Sequence, residues 1–184
     1  MPGLTQYYTA TTLDGYIADE NHSLDWLFEV DRAQDGEDGF ARFIADIGAM
    51  AMGATTYEWI LEHDRLLDDP DKWRYDNPAW VFTHRTLPLV PGKDIRFVQG
   101  DVAPVHDDMT RAAGGKNLWL VGGGDLVGQF ADAGLLDEIL VSVAPVTLGQ
   151  GAPLLPRRLT AKELELVDVA RDKQFARLHY RVRR

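Results

Sequence analysis

The apolar residues of this chain fall into short runs separated by polar turns, and this pattern predicts strands that alternate with helices. The predicted strands are residues 4–11, 16–18, 49–52, 80–83, 95–98, 118–121 and 138–144. Apolar residues at helical spacing, or a helix-start signal, predict helices at residues 39–47, about 56–62, 105–113 and directly after the glycines at 122–124. We expect a long loop over the acidic, proline-bounded segment 63–78.

The last two apolar segments, residues 163–169 and 175–182, predict an antiparallel strand pair with a turn near residues 171–173. Strands that alternate with helices favour a mostly parallel sheet that is covered on both faces. The sequence therefore predicts one α/β domain over residues 1–184, with a mixed, mostly parallel sheet and a C-terminal antiparallel pair.

The composition narrows the classes of partner. The formal net charge of −10 argues against binding to a nucleic-acid backbone, which needs clustered Lys and Arg. The chain contains no Cys, which excludes a disulfide framework, a thiolate metal site and a Cys nucleophile. The sequence shows neither a signal-peptide pattern nor an apolar run of about 20 residues, so we expect a cytoplasmic protein that does not span a membrane.

Residues 118–130 form the most informative segment of the chain. Four apolar residues predict a buried strand, Gly122, Gly123 and Gly124 predict a tight turn, and the residues from Asp125 predict an amphipathic helix. Backbone without a Cβ lets a ligand approach closely, and the free N–H groups of a helix N-terminus favour a phosphate. The segment predicts a nucleotide ligand; the alternative is that the glycines only turn the chain from strand to helix.

A second junction of this kind lies at Gly53, directly after another predicted strand. Thr55 and Glu58 have the spacing of a capping box, in which Thr55 caps the helix and Glu58 reaches back. A helix start without any ligand is the alternative. Because parallel strands end at one edge of the sheet, where ligands of open α/β sheets bind, one dinucleotide could use both junctions.

A third candidate, Thr83, His84 and Arg85, also follows a predicted strand. A hydroxyl, an imidazole and a guanidinium could surround a phosphate or a ribose, and Arg85 suits a bidentate phosphate contact. The alternative is a solvated turn that leads into Pro88.

Other reaction classes find little support. The only serines are Ser23 and Ser142, and neither lies in a Gly-x-Ser-x-Gly motif. The five histidines do not form the His-Glu pattern of a zinc helix, and the carboxylate runs near residues 31–38 and 68–71 are typical of solvated surfaces. We expect no metal site.

Five motifs occur in order, at residues 12–18, 24–27, 52–58, 121–124 and 144–154. They read TLDGYIA, LDWL, MGATTYE, VGGG and APVTLGQGAPL. In this combination the chain resembles the dihydrofolate-reductase-like superfamily. Within it, the chain is similar to the reductase domain of the riboflavin-biosynthesis bifunctional deaminase-reductase and its stand-alone bacterial relatives. The resemblance spans nearly the whole chain.

The resemblance implies a dihydrofolate-reductase-like domain that binds NADPH along the carboxyl edge of the sheet and is often a homodimer. Position by position, it implies that the pyrophosphate contacts Gly122, Gly123, Gly124, Asp125, Leu126 and Val127. It further implies that the adenosine-side phosphate and ribose contact Gly53, Thr55 and Thr56, and that the 2′-phosphate region contacts Thr83, His84 and Arg85. The loop from Asp14 to Trp26 would cover the nicotinamide and the substrate.

One departure from the family concerns the choice of cofactor. The family often has Arg or Lys directly after the glycine that matches Gly53, where it contacts the 2′-phosphate. Here Ala54 stands at that position, so NADH remains an alternative to NADPH. Arg85, with His84, could supply the missing charge.

The substrate candidates are Asp14, Trp26 and Asp31. Asp14 lies in a turn at a strand end and is the candidate proton donor, although Asp-Gly is also a common turn pair. Trp26 could stack on a planar heterocycle or pack in the core. Asp31 lies near the position where dihydrofolate reductases carry a pterin-binding acid, and the spacing does not choose between it, Glu37 and Asp38.

These expectations describe a nicotinamide-dependent reductase, in which the cofactor carries the hydride and the protein aligns it against a C=N or C=O carbon. The leading activity is reduction of a pyrimidine or pterin-like heterocycle, similar to that of 5-amino-6-(5-phosphoribosylamino)uracil reductase. The alternatives are a dihydrofolate reductase-type activity and an NADP(H)-binding regulatory module without turnover.

Overall fold

The computed structural model of the chain describes residues 3–31 and 34–183. Within them, the strands are β1 (Thr5–Thr12), β2 (Tyr16–Ala18), β3 (Ile47–Gly53), β4 (Ala79–Phe82), β5 (Ile95–Val98), β6 (Asn117–Gly122), β7 (Glu138–Ala144), β8 (Ala152–Pro153), β9 (Leu164–Asp172) and β10 (Phe175–Val182). The helices are α1 (Asp25–Phe28), α2 (Gln34–Ala45), α3 (Ala54–His63), α4 (Val102–Ala113) and α5 (Gly124–Asp132), with a short 3-10 helix at Pro70–Lys72. No helix in this part of the chain is long and apolar enough to cross a bilayer.

Eight of these strands form one sheet in the order β5-β4-β3-β6-β1-β7-β10-β9. The strands from β5 to β7 in this order are parallel, whereas β10 pairs antiparallel with both β7 and β9. This arrangement confirms the predicted fold class, including the antiparallel pair at the C-terminus. β2 and β8 form a separate antiparallel ribbon, in which Tyr16 is paired with Pro153.

The core lies on both faces of the sheet. On one face, Ala49 and Ala51 of β3 pack in a cluster with α4 and α5. On the other face, Met50 and Met52 of the same strand pack in a cluster with α3. A parallel strand that is buried on both faces needs apolar residues at successive positions, which explains the unbroken apolar run of β3.

Some helix bounds differ from the prediction. α2 ends at Ala45, and Ile47, predicted as the end of this helix, is the first residue of β3. α4 begins three residues earlier than predicted, at Val102, because the Asp101 carboxylate accepts a hydrogen bond from the N–H of Ala103 at 3.1 Å and caps the helix. α1 was not predicted, since four residues are too few for helical periodicity to show.

Candidate functional site

A cleft of about 1440 Å³ follows the edge of the sheet at which the parallel strands end. Its lining includes Gly53, Thr83 and Gly122, which lie at or directly after the carboxyl ends of β3, β4 and β6. Strands β1 and β7 contribute Ala10 and Ser142. Ligands of open α/β sheets bind at this edge, so the cleft is the candidate site.

The two glycine junctions predicted from the sequence adjoin each other in this cleft. A Cβ placed on Gly53 would lie 3.9 Å from both the Gly122 oxygen and the Gly123 nitrogen. Gly122 has φ 137°, in the region that favours glycine, and its peptide bond to Gly123 is cis. A Cβ on Gly123 would meet only the Ile17 Cδ1 atom, at 3.8 Å. The cleft therefore has open space directly above two stretches of backbone.

Both junctions lead directly into helices whose first N–H groups are available. α3 begins at Ala54 with Gly53 as its N-cap, and α5 begins at Gly124 with Gly123 as its N-cap. Neither N-cap has a side chain that could accept from the first turn, so these N–H groups and the helix dipoles favour an anion. The arrangement suits a dinucleotide pyrophosphate.

The predicted capping box at Thr55 is wrong. Gly53 is the N-cap, and Thr55 is already the second residue of α3. The Glu58 carboxylate does not reach back to the start of the helix but accepts two hydrogen bonds from Arg85. The hydroxyl-bearing residues Thr55 and Thr56 both line the cleft instead.

Gly124 has a different reason to be glycine. A Cβ at this position would overlap the carbonyl oxygens of Pro153 and Leu154. Gly124 thus allows α5 to pack against the β8 segment. The three glycines of the turn serve two purposes: Gly122 and Gly123 shape the cleft, and Gly124 allows a close helix–loop contact.

The third predicted candidate is only partly at the cleft. Thr83 and His84 line it, and the His84 Nδ1 lies 3.3 Å from the Gln99 Oε1. Arg85 is not among the lining residues, because its Nη1 and Nη2 donate to the two oxygens of Glu58 at 2.9 and 2.7 Å. The guanidinium is exposed at the surface beside the cleft.

The structure brings most of the predicted cofactor residues to this one cleft. The residues that line it are Gly53, Thr55, Thr56, Thr83, His84, Gly122, Gly123, Gly124, Asp125 and Leu126. Arg85 and Val127 do not line it, and Val127 is fully buried in the core. We call the part of the cleft formed by the ten lining residues the glycine half.

Asp14 is not one of the residues that line the cleft, and its contacts hold the loop at residues 148–149. Its carboxylate accepts hydrogen bonds from the Thr12 hydroxyl and from the backbone N–H groups of Leu148 and Gly149, the latter at 2.8 Å. The Thr12 contact above all, and then these N–H groups, lower the pKa of Asp14 below its ordinary value. A carboxylate that is ionised at neutral pH has no proton to give, so this geometry suits a loop anchor better than a proton donor.

The other two substrate candidates also lie away from the cleft lining. Trp26 is 6% exposed and packs with Val30, Ala144 and Phe175 in a small core cluster. Asp31 is exposed and its Oδ1 lies 3.1 Å from the Lys173 Nζ. Of the two roles considered for Trp26, the structure places it in the packing role; Glu37 and Asp38 lie outside the residues whose side chains are described.

A second part of the cleft, which the sequence did not predict, consists of side chains on one face of the sheet together with Phe40 of α2. We call it the sheet half; it comprises Tyr8, Ala10, Phe40, Trp119, Ser142, Phe175 and Arg177. Ala10 is paired in register with Ser142, and Ser142 with Arg177, so these three residues form one row across β1, β7 and β10. The only sequence signal for this half is the two-residue spacing of positions 8 and 10 and of 175 and 177.

The β2–β8 ribbon forms a wall of the cleft. Ile17, Ala18, Ala152 and Pro153 line it from this side. The ribbon is fixed to β1, because the Tyr7 hydroxyl donates to the Leu154 oxygen at 3.0 Å. The segment after β7, which the sequence analysis treated only as part of a motif, thus supplies β8 and part of the cleft wall.

A mostly parallel sheet with an antiparallel edge, and a cleft at its carboxyl edge, define a fold of the dihydrofolate-reductase-like class. The chain belongs to the RibD C-terminal domain family, which matches residues 60–175. The resemblance inferred from the five sequence motifs is thereby confirmed.

Individual relatives agree with this assignment. The protein YwjB of Bacillus subtilis (strain 168) is 30% identical over 176 residues, which are 96% of each chain. The crystal structure of a putative riboflavin biosynthesis protein from Shewanella sp. PV-4 has a TM-score of 0.80 and 27% identity, and covers 100% of both chains.

Two more distant structures show the same fold. One is the diaminohydroxyphosphoribosylaminopyrimidine deaminase/5-amino-6-(5-phosphoribosylamino)uracil reductase of Thermotoga maritima, with a TM-score of 0.66 and 15% identity over 99% of this chain and 57% of that chain. The other is the dihydrofolate reductase of Enterococcus faecalis complexed with NADP(H), with a TM-score of 0.63 and 14% identity over 100% of this chain and 99% of that chain.

Proposed function

We propose that this protein is an NADPH-dependent reductase of a pyrimidine or pterin-like heterocycle, similar to a 5-amino-6-(5-phosphoribosylamino)uracil reductase of riboflavin biosynthesis. The observation that carries the proposal is the meeting of two glycine–helix junctions in one cleft, where a Cβ placed on Gly53 would lie 3.9 Å from the Gly122 oxygen. Membership of the RibD C-terminal domain family supports the reductase class, and the reductase named in the T. maritima relative suggests the substrate class.

The glycine half would hold the cofactor. The N–H groups at the start of α5 would bind the pyrophosphate, since Gly123 leaves the backbone accessible. Gly53, Thr55 and Thr56 at the start of α3 would contact the neighbouring phosphate and ribose. When bound, the nicotinamide supplies the hydride.

The sheet half would hold the heterocycle. Tyr8 offers aromatic surface, and its ring lies 6.5 Å from that of the buried Trp119 in an edge-on arrangement. Ala10 and Ser142 are small and leave space above the sheet. The β2–β8 ribbon would cover the site through Ile17 and so limit the access of water.

The preference for NADPH depends on charge near the adenosine end. Ala54 offers no charge there, while His84 lines the cleft. Arg85 would reach a 2′-phosphate only by leaving Glu58, and its exposed position allows that movement. We therefore keep NADPH as the proposed cofactor, with NADH as the competitor to test.

A homodimer is part of the same proposal. The edge strand β9 exposes Leu166, Val167 and Val169, which a second copy of the chain could cover. Sedimentation velocity at two protein concentrations measures this directly, and a purely monomeric species would exclude it.

The test of the proposed function is a matched titration with NADPH and NADH, followed by a turnover screen over pyrimidine, pterin and flavin substrates. Oxidation of NADPH with the phosphoribosylaminopyrimidine supports the proposal. Oxidation with dihydrofolate alone indicates a dihydrofolate reductase-type activity. Micromolar cofactor binding without turnover of any substrate indicates a regulatory module, and no binding of either cofactor excludes all three.

A further inference from the structure

The sheet half contains a cation, Arg177, whose position is determined by strand register. Arg177 on β10 is paired with Ser142 on β7, and Ser142 is paired with Ala10 on β1. Residues directly opposite each other on neighbouring strands project to the same face of a sheet. In this row, which continues to Ala170 on β9, Arg177 therefore follows two small residues, Ala10 and Ser142, and a flat ring has room beside it.

Arg177 lies beside α2 at the edge of the cleft. Its side chain is half-buried, and it passes Gly39 of α2, where a Cβ would lie only 3.0 Å from the Arg177 Nη1. Arg181 and Arg183 both pair with Glu165, whereas Arg177 forms no ion pair with any residue whose side chain the structure describes. A partly desolvated guanidinium is costly unless an anion meets it.

Of the charged residues whose side chains the structure describes, those near this end of the cleft do not supply that anion. Asp172 also lines the cleft, but it is opposite Phe175 at the hairpin turn and makes no ion pair with Arg177. Arg74 lines the cleft from the loop between α3 and β4, where it is exposed. Arg177 is thus the described arginine that the sheet itself holds at the cleft.

We propose that Arg177 binds an oxyanion carried by the substrate, a phosphate or a carboxylate, and makes the cleft selective for anionic heterocycles over neutral ones. The inference rests on the proposed reductase function, which places the heterocycle on the sheet half. A guanidinium fork binds an oxyanion through two parallel N–H bonds. A local cation matters here, because the net charge of −10 repels anions from the protein as a whole.

The test compares binding of paired ligands that differ only in the anion. The first pair is 5-amino-6-(5-phosphoribosylamino)uracil and its dephosphorylated riboside; the second is dihydrofolate and a dihydropterin without the carboxylates. Calorimetry with NADP⁺ present measures binding without turnover. We expect the wild type to bind the anionic member of one pair about 10- to 100-fold more tightly, and Arg177→Met to reduce that ratio to about one.

Two further variants separate the role of the guanidinium from general effects of charge and folding. Arg181→Met removes the same charge from the same strand outside the cleft lining, so the ratio should stay at its wild-type value. Arg177→Lys keeps the charge but loses the bidentate fork, so an intermediate ratio is expected. Thermal unfolding of all variants checks that the fold is retained.

The outcomes are distinct from those of the proposed function. A collapse of the ratio in the first pair alone identifies a phosphate, and a collapse in the second pair alone identifies a carboxylate. Equal ratios in Arg177→Met and Arg181→Met, or no preference for anions in the wild type, overturn the inference. Lack of NADPH oxidation would count against the reductase function, while the binding ratios would still report on Arg177.

Discussion

The glycine half and the sheet half of the cleft are built in different ways. The glycine half presents backbone N–H groups and positions without a Cβ, at Gly53 and Gly123, where β3 and β6 end. The sheet half presents side chains from strands that are far apart in the sequence, such as Tyr8, Ser142 and Arg177. The glycine half would therefore bind a ligand through main-chain groups, and the sheet half would bind one through side chains.

The two halves should also differ in how strongly a single substitution changes ligand binding. Backbone N–H groups at a helix start bind any phosphate in the right place, and they depend on few side chains. Side chains on the sheet set shape, charge and hydrogen bonding, and one substitution changes them. We therefore expect the glycine half to govern cofactor binding and the sheet half to govern the choice of substrate.

The largest effect should follow from Gly124→Ala, which tests whether the glycine half has a packing function as well. The new Cβ would overlap two carbonyl oxygens of the β8 segment, at Pro153 and Leu154, and main-chain atoms cannot yield as a flexible side chain can. We expect the free energy of unfolding to fall by about 2–3 kcal/mol. Urea unfolding measures this, and a change below about 0.5 kcal/mol would show that the helix–loop contact adapts.

The next effect should follow from Gly53→Ala, which breaks the glycine half without the same cost in stability. Gly53 has φ −81° and ψ 167°, which alanine adopts freely, and its Cβ would meet no atom closer than 3.9 Å. The methyl group would occupy the space above the backbone, so we expect the Kd for NADPH to rise about tenfold, which corresponds to about 1.4 kcal/mol. Equilibrium titration measures the Kd.

The stability of the same variant is the control. As an N-cap, alanine is worse than glycine by about 1 kcal/mol or less. Gly53→Ala should therefore be more stable than Gly124→Ala while binding NADPH more weakly than the wild type. Unchanged affinity would mean that the cofactor does not approach the backbone at Gly53.

The glycine half was accessible to sequence reasoning because each of its motifs is local. Gly53 and Gly122 each follow an apolar run directly, and a helix-forming segment follows them. The sheet half was not accessible, because Ala10, Ser142 and Arg177 adjoin only after β1, β7 and β10 pair in one particular register. No local pattern specifies that register.

The same reasoning explains where individual sequence predictions agree with the structure and where they do not. Most strands were predicted because their apolar runs are short and bounded by turns, as in β3 and β7. The capping box at Thr55 was wrong because its spacing does not reveal whether β3 ends at Met52 or continues to Gly53. Trp26 was left between two roles, since periodicity does not show whether a loop residue faces the cleft or the small core it joins.

A smaller effect on the kinetic constants is expected from substitution of Asp14. It tests whether the loop beside the cleft takes part in the chemistry or only supports the two halves. Asp14→Asn keeps an oxygen that can accept from the N–H groups of Leu148 and Gly149, whereas Asp14→Ala does not. If Asp14 only anchors the loop, Asp14→Ala should raise KM about fivefold and leave kcat within about threefold of the wild type. Both constants of Asp14→Asn should stay within about threefold of the wild type. A proton donor would instead lose kcat by about 100-fold or more in both variants.

The pH dependence of stability independently tests whether the ionised Asp14 carboxylate stabilises the fold. The pKa of Asp14 is lowered from 3.8 in the folded state, so its contribution to stability is fully present above 3.8. That contribution disappears as the pH falls from 3.8 through the lower folded pKa. Asp14→Ala should therefore differ from the wild type in thermal unfolding near neutral pH and converge with it in acid. A constant difference down to the lowest pH would contradict the ionised anchor.

The smallest effect concerns Arg85, at the border of the glycine half. Glu58→Gln weakens an exposed ion pair and should free the guanidinium for a 2′-phosphate at little cost in stability. We expect the ratio of NADH to NADPH Kd to rise about two- to threefold, an effect of the size of a surface ion pair. Adding Arg85→Ala to this variant should remove the gain, and Arg85→Ala alone should weaken NADPH more than NADH. Equal effects on the two cofactors would remove Arg85 from the 2′-phosphate region and leave His84, which lines the cleft, as the nearer candidate there.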